Sequence, residues 1–337
     1  MSTSNIISVQ PLGFPWQTQD PFLFCAHHAD HYPKGNDKMG PAVSLAGRNL
    51  GQDFTIKDGF RMYHGKEVPG FPSHPHRGFE TVTIATTGLV DHSDSLGGAG
   101  RFGDGDVQWM TAGKGVQHSE MFPLRDTEND NPFELFQIWL NLPRSKKMVE
   151  PHYKMLWHED VPMVVEKNNG KTSKIRVVAG NFKDTKALAP APDSWASDDK
   201  NHVSIWTLEL EAGAEVVLPP ASAEANRTLY FYEGDEIEIA GSKIGHYHSV
   251  QVNPNAELTL KAGSTSCYLL MLQGKPLKEP VAQYGPFVMN TQQEIQQAMM
   301  DYQRTQFGGW PWPRHDNVHP REKGRFAFQN GKEEVRG

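Results

Sequence analysis

An all-β chain of two related barrels is the fold this sequence predicts, and three observations predict it. Glycine and proline are frequent, 31 and 24 of 337 residues. They cut the chain into short runs that are β-branched or alternate apolar with polar side chains, as strands do. A similar series of such runs fills each half. The chain is also too long for one ordinary small domain, and two domains of about 150 residues each are the natural reading.

In the first half the strand-like runs include "TVTIATTG", "DVQWMTAG" and "LFQIWLNLP". In the second they include "KIRVVAG", "VSIWTLELE", "TLYFYEGDEIEIAG", "HSVQV", "AELTLKAG" and "CYLLMLQG". Glu233–Gly234 and Ala262–Gly263 read as hairpin or bulge turns. Between the two sets "LPRSKKMVEPHYKMLWHEDVPMVVEKNNGKTSK" loses the period of two, which places the junction near residues 143–150. The expected division is 1–145, 146–307 and a tail, 308–337.

One helix is well signalled. In "TQQEIQQAMMDYQRTQFGG", Thr291 and Glu294 have capping-box spacing, Ile295, Met299 and Tyr302 form a packing stripe, and Gly308–Gly309 ends it. Beyond it "WPWPRHDNVHPREKGRFAFQNGKEEVRG" mixes tryptophan, proline and charge without period. It reads as a lid, an arm or a partly ordered tail, and its aromatic residues argue against full disorder.

Composition excludes some functions. The formal net charge of −7 disfavours direct nucleic-acid binding, though not a protein partner. No run of apolar residues is long enough to span a membrane. "MSTSNIISVQ" has neither a basic nor an apolar region of the kind a signal peptide needs. The expected location is cytoplasmic, where Cys25 and Cys267 are reduced thiols.

The chemistry concentrates in histidines. In "SHPHRGFE", His74 and His76 share one face if the segment is extended, which Pro75 favours. In "GVQHSEMF", His118 and Glu120 do the same. Were the two segments neighbouring strands, three imidazoles and a carboxylate would converge, a set suited to a divalent transition metal. Glu80 is a rival carboxylate on parity alone, an even step from His76.

Other motifs carry less. "FCAHHADHYP" gathers Cys25, His27, His28 and His31 at a spacing that fits no common zinc pattern. A place at a pocket mouth suits them better. His246 and His248 form another HxH without a matching HxE, and read as surface or packing residues. "GAGRFG" precedes a strand rather than a helix, so it is no dinucleotide loop. In "HSDSLGG", a turn stabilised by Asp94 is preferred over a supporting role for His92 or Asp94 at a metal. No nucleophilic triad stands out.

"GFPSHPHRGFETVT", "HSDSLGG", "GDVQWMTAGKGVQHSEMF" and "GPFVMNTQQEI" resemble the pirin family of the cupin superfamily, over residues 20–305. The resemblance implies a bicupin, with barrels packed face to face and metal only in the N-terminal one. It implies His74, His76, His118 and Glu120 as ligands, usually of Fe(II), although nickel, manganese, copper or zinc suits the same donors. Glu80 then becomes a neighbour, in place to orient an imidazole, rather than a ligand. Four protein ligands on an octahedral ion leave two positions, enough for dioxygen and a phenolic substrate. The implied activity is quercetinase-type ring opening of a flavonol, with Glu120 as proton acceptor. The alternative is a regulatory protein whose partner binding follows iron oxidation state. Residues 31–65 depart from shorter family members, which leaves the shape of the pocket open.

Overall fold

The computed structural model describes residues 5–336. Strands dominate, as expected, and among the described residues there is one α-helix, Gln292–Thr305. Among the described residues no helix is long and apolar enough to cross a membrane.

The chain forms two compact units that interleave along the sequence: 27–137, 142–158 and 279–336 make one, and 5–26, 138–141 and 159–278 the other. The helix and tail therefore group with the histidine motifs rather than with the second series of strands.

The unit carrying the motifs has a six-stranded sheet in the order Lys332–Arg336, Arg325–Gln329, Ala99–Gly103, Leu89–Asp94, Val116–Met121, Gly70–His76. Its second sheet is built on His152–Leu156, Val107–Thr111 and Phe79–Thr87. Its core includes the aromatic residues Tyr32, Phe60, Tyr63, Phe102, Phe122, Phe133 and Trp157. Rings of this size each bury a large apolar area.

The helix begins as the capping signal requires, with the Thr291 hydroxyl accepting from the Glu294 N–H at 3.2 Å. Ile295 and Ala298 are buried with Ala282, Phe287, Met289 and Phe307, while Met299 and Tyr302 pack against them. It stops earlier than Gly308: Gln306 already takes the left-handed conformation, at φ 49°. Phe307 then turns inward against Gly115, where φ is +135° and any Cβ would lie 2.7 Å from the Phe307 ring.

The tail is ordered. Arg325–Gln329 pairs with Ala99–Gly103 and hairpins back through Lys332–Arg336.

The other unit has a seven-stranded sheet and a four-stranded one. Its interior is packed with Ile175, Val177, Trp206, Leu208, Leu229, Phe231, Val250, Leu260 and Met271. Cys25 and Cys267 are both buried free thiols.

Candidate metal centre

Gly70–His76 and Val116–Met121 pair antiparallel, which sets His74 opposite His118. The register shifts between Phe71 and His74, so Phe71 rather than Pro72 stands opposite Glu120. Such a bulge twists a strand and re-aims its side chains. On its other edge Val116–Met121 pairs with Leu89–Asp94, setting His92 opposite Glu120 and Asp94 opposite His118.

Alternation along these strands turns His74, His76 and His118 inward together. One ring nitrogen from each lies within 4.8 Å of the others. The Glu120 Oε2 is 3.8 Å from His118 Nε2, outside that tight group but beside it. The sequence-derived set of four is thus brought to one place, as three close imidazoles and an adjacent carboxylate.

Burial sets the charge state. It lowers the His74 pKa to about 4 and pushes His76 and His118 well below the ordinary imidazole value, with repulsion from neighbouring histidines adding to the effect. All three are therefore neutral and offer lone pairs at pH 7. His74 Nδ1 donates to the Pro72 carbonyl at 2.9 Å, which leaves Nε2 as its lone-pair nitrogen. Both His118 ring nitrogens are buried without a hydrogen-bond partner among the described residues. A buried, unpaired polar atom is costly, and a metal ion relieves that cost at a neutral imidazole. The donor set fits a divalent transition ion.

Glu120 is held by two residues that sequence reasoning missed. Gln137 donates to its Oε2 at 2.6 Å, and Thr83 donates to its Oε1 at 3.4 Å. Burial raises the Glu120 pKa, and His92, Gln137 and Thr83 only partly oppose that. The one signal for Gln137 was a polar residue in the apolar run "LFQIWLNLP".

Glu80 faces elsewhere. Its Oε1 accepts from Trp109 Nε1 at 3.1 Å and from Thr111 Oγ1 at 2.7 Å. Thr83 and Phe79, which touch Glu120 and the His76 ring, lie on the opposite face of the same strand. The even count from His76 fails because the corner at Gly78, with φ +87°, resets the alternation.

The remaining motifs resolve separately. His27 Nε2 lies 3.0 Å from Glu134, and His28 Nδ1 meets the Tyr63 hydroxyl at 2.9 Å. His28 packs edge-on against Phe71, which in turn meets His74. Asp94 makes the expected turn, accepting from the N–H groups of Leu96 and Gly98, and also takes His92 Nε2 at 3.0 Å. His246 and His248 use Nδ1 on the backbone carbonyls of Gly234 and His246.

Comparison with known proteins bears on the fold and the family. The family model described as Pirin matches residues 13–140, and that described as Pirin C-terminal cupin domain matches residues 205–308. A Pseudomonas aeruginosa protein provisionally named a quercetin 2,3-dioxygenase is 38% identical over 70% of this chain and 79% of its own. Pirin-1 of Arabidopsis thaliana is 37% identical over 71% of this chain and 78% of its own. A crystal structure of quercetin 2,3-dioxygenase from Acinetobacter baumannii superposes with a TM-score of 0.72 at 28% identity, covering 91% of this chain and 99% of that one.

Proposed function

We propose, for a chain that belongs to the pirin family and is built of two cupin barrels, an Fe(II)-dependent dioxygenase acting on flavonols or related phenols. One observation carries the reading: three neutral imidazoles with converging nitrogens, His76 and His118 buried and His74 partly so, beside a buried carboxylate. His74, His76, His118 and Glu120 would hold the ion, and their nitrogen and oxygen donors suit Fe(II). When bound, the ion supplies Lewis acidity toward an enol oxygen of the substrate.

The chain's own residues do the rest. Glu120 accepts the substrate's hydroxyl proton, and its raised pKa makes it a better base than an exposed carboxylate. Gln137 holds Oε2 closely while Thr83 holds Oε1 at 3.4 Å, so Oε1 is the oxygen freer to receive that proton. Phe71 lies beside His74, with Tyr63, His64 and Phe54 around it. These rings meet at tilted and edge-on angles and make the surroundings of His74 aromatic, which suits an aromatic substrate. The resemblance to proteins named as quercetin 2,3-dioxygenases supports the same substrate class.

The test is oxygen uptake and flavonol bleaching by the Fe(II)-loaded chain. His118→Ala and Glu120→Gln should each abolish turnover. Rates equal to the unaltered chain would overturn the site, and no turnover on any flavonol or phenol would overturn the activity.

A further inference from the structure

Gly70–His76 brings two of the three imidazoles, yet it is poorly held by its own sheet. It is the terminal strand of its sheet and ladders only with Val116–Met121; beyond that ladder its first residue, Gly70, bridges Tyr63. Pro72 and Pro75 remove two of its backbone donors, and the bulge between Phe71 and His74 interrupts the pairing that remains. A strand with so few ladder bonds has little to fix the direction of its side chains.

The tail supplies what is missing. Ser73 donates its N–H to the His315 carbonyl at 2.8 Å, and its hydroxyl meets His315 Nδ1 at 2.5 Å. Gln117 Nε2 donates to the Gly309 carbonyl at 3.3 Å. Asn317 Nδ2 donates to Ser93 Oγ at 2.9 Å, and Ser93 stands opposite Ser119 in the ladder. Successive side chains on a strand point to opposite faces. Ser73 adjoins His74, Gln117 adjoins His118, and Ser119 adjoins both His118 and Glu120. The tail thus grips the outer face of each strand at the residue beside, or paired to the neighbour of, an inward-facing donor.

Deeper anchors tie the tail down. Trp312 Nε1 donates to the Asp94 carbonyl at 2.8 Å. The His319 N–H donates to Asp91 and its Nε2 to the His92 carbonyl, at 2.8 and 2.9 Å. All of this lies beyond residue 308, where the second family match ends.

We propose that the segment 309–336 is a positioning device for the metal centre, in which His315 and Asn317 act through Ser73 and Ser93 to fix the strands that carry His74, His118 and Glu120. The proposal rests on the reading of those residues as ligands. His315 is exposed, so its replacement leaves the core untouched.

The test is titration of the metal-free full-length chain with Co(II), followed by the visible absorption of the bound ion, beside urea unfolding of each variant. Changes to groups that orient metal ligands typically cost about 10–100-fold in affinity, and these contacts act one residue further out, so about 3–10-fold is expected for His315→Ala and for Asn317→Ala. Urea midpoints for His315→Ala should stay in place. His315→Gln, which keeps a hydrogen-bonding group near Ser73, should recover affinity. Ser73→Ala combined with His315→Ala should be no weaker than either alone. Co(II) affinity unchanged in both tail variants, while His118→Ala abolishes binding, would overturn the positioning role and leave the ligand reading standing. An unaltered chain that takes up no Co(II) would overturn both.

Discussion

Gln137 donates from Nε2 to the Glu120 Oε2 over 2.6 Å, the shorter of the two hydrogen bonds that hold this buried carboxylate. Gln137→Leu removes the bond at nearly constant volume. Burial already disfavours the charged carboxylate, and loss of a donor disfavours it further. Metal affinity should fall by about 10–100-fold, the usual effect of removing a group that orients a ligand. Co(II) titration checks this, and an unchanged dissociation constant would remove Gln137 from the site.

Glu80 should behave differently although it too is a buried acid of the same unit. It serves Trp109 and Thr111 on the other face. Glu80→Leu strands an indole N–H and a hydroxyl, a cost of about 1–3 kcal/mol for each group left unsatisfied. Urea unfolding should show that loss while Co(II) affinity per folded molecule stays the same. A selective loss of metal with stability intact would return Glu80 to the metal centre.

The contrast between these two acids shows how much the sequence could say. His74, His76, His118 and Glu120 were legible because a period of two decides which side chains share a face within one strand. Parity carried across Arg77–Gly78 misled, since a residue at φ +87° turns the chain between strands. Gln137 was hidden because one polar residue in an apolar run reads as ordinary alternation. The tail was illegible for another reason. Its order comes from distant side chains that take its carbonyl groups: Arg101 donates to the carbonyls of His319, Pro320 and Lys323. No local periodicity records such bonds.

Arg101 is itself paired with Asp91, both side chains being fully buried, through bonds of 2.7 and 2.8 Å. Asp91→Asn keeps the shape and removes the charge, leaving a buried guanidinium without its counter-ion. Breaking one side of such a pair costs about 3–5 kcal/mol. The His319 N–H also loses a charged acceptor. Lower urea stability together with faster proteolytic cleavage within 309–336 is the expected pair of results. A loss of stability with the tail still protected would separate the ion pair from tail docking.

Acid should weaken the metal-free fold before it weakens metal binding by the histidines. Burial lowers His28 to about 3 and His74 to about 4, and carries His76 and His118 well below 6.5. Their pKa values are depressed in the folded chain, so below 6.5 the unfolded chain takes up protons that the native chain refuses. By linkage, stability from these groups is fully present above about pH 6.5 and is lost as pH falls toward about 4. Urea midpoints of the metal-free chain should therefore drop steadily from about pH 7 to about pH 5. Over the same range the native imidazoles stay neutral and need release no proton to a metal. Any slope of Co(II) affinity with pH then belongs to Glu120, whose pKa burial has raised. Glu120→Gln should flatten that slope. A steep slope surviving in the Gln variant would mean that the histidines titrate in the folded chain and are not as buried as their packing implies.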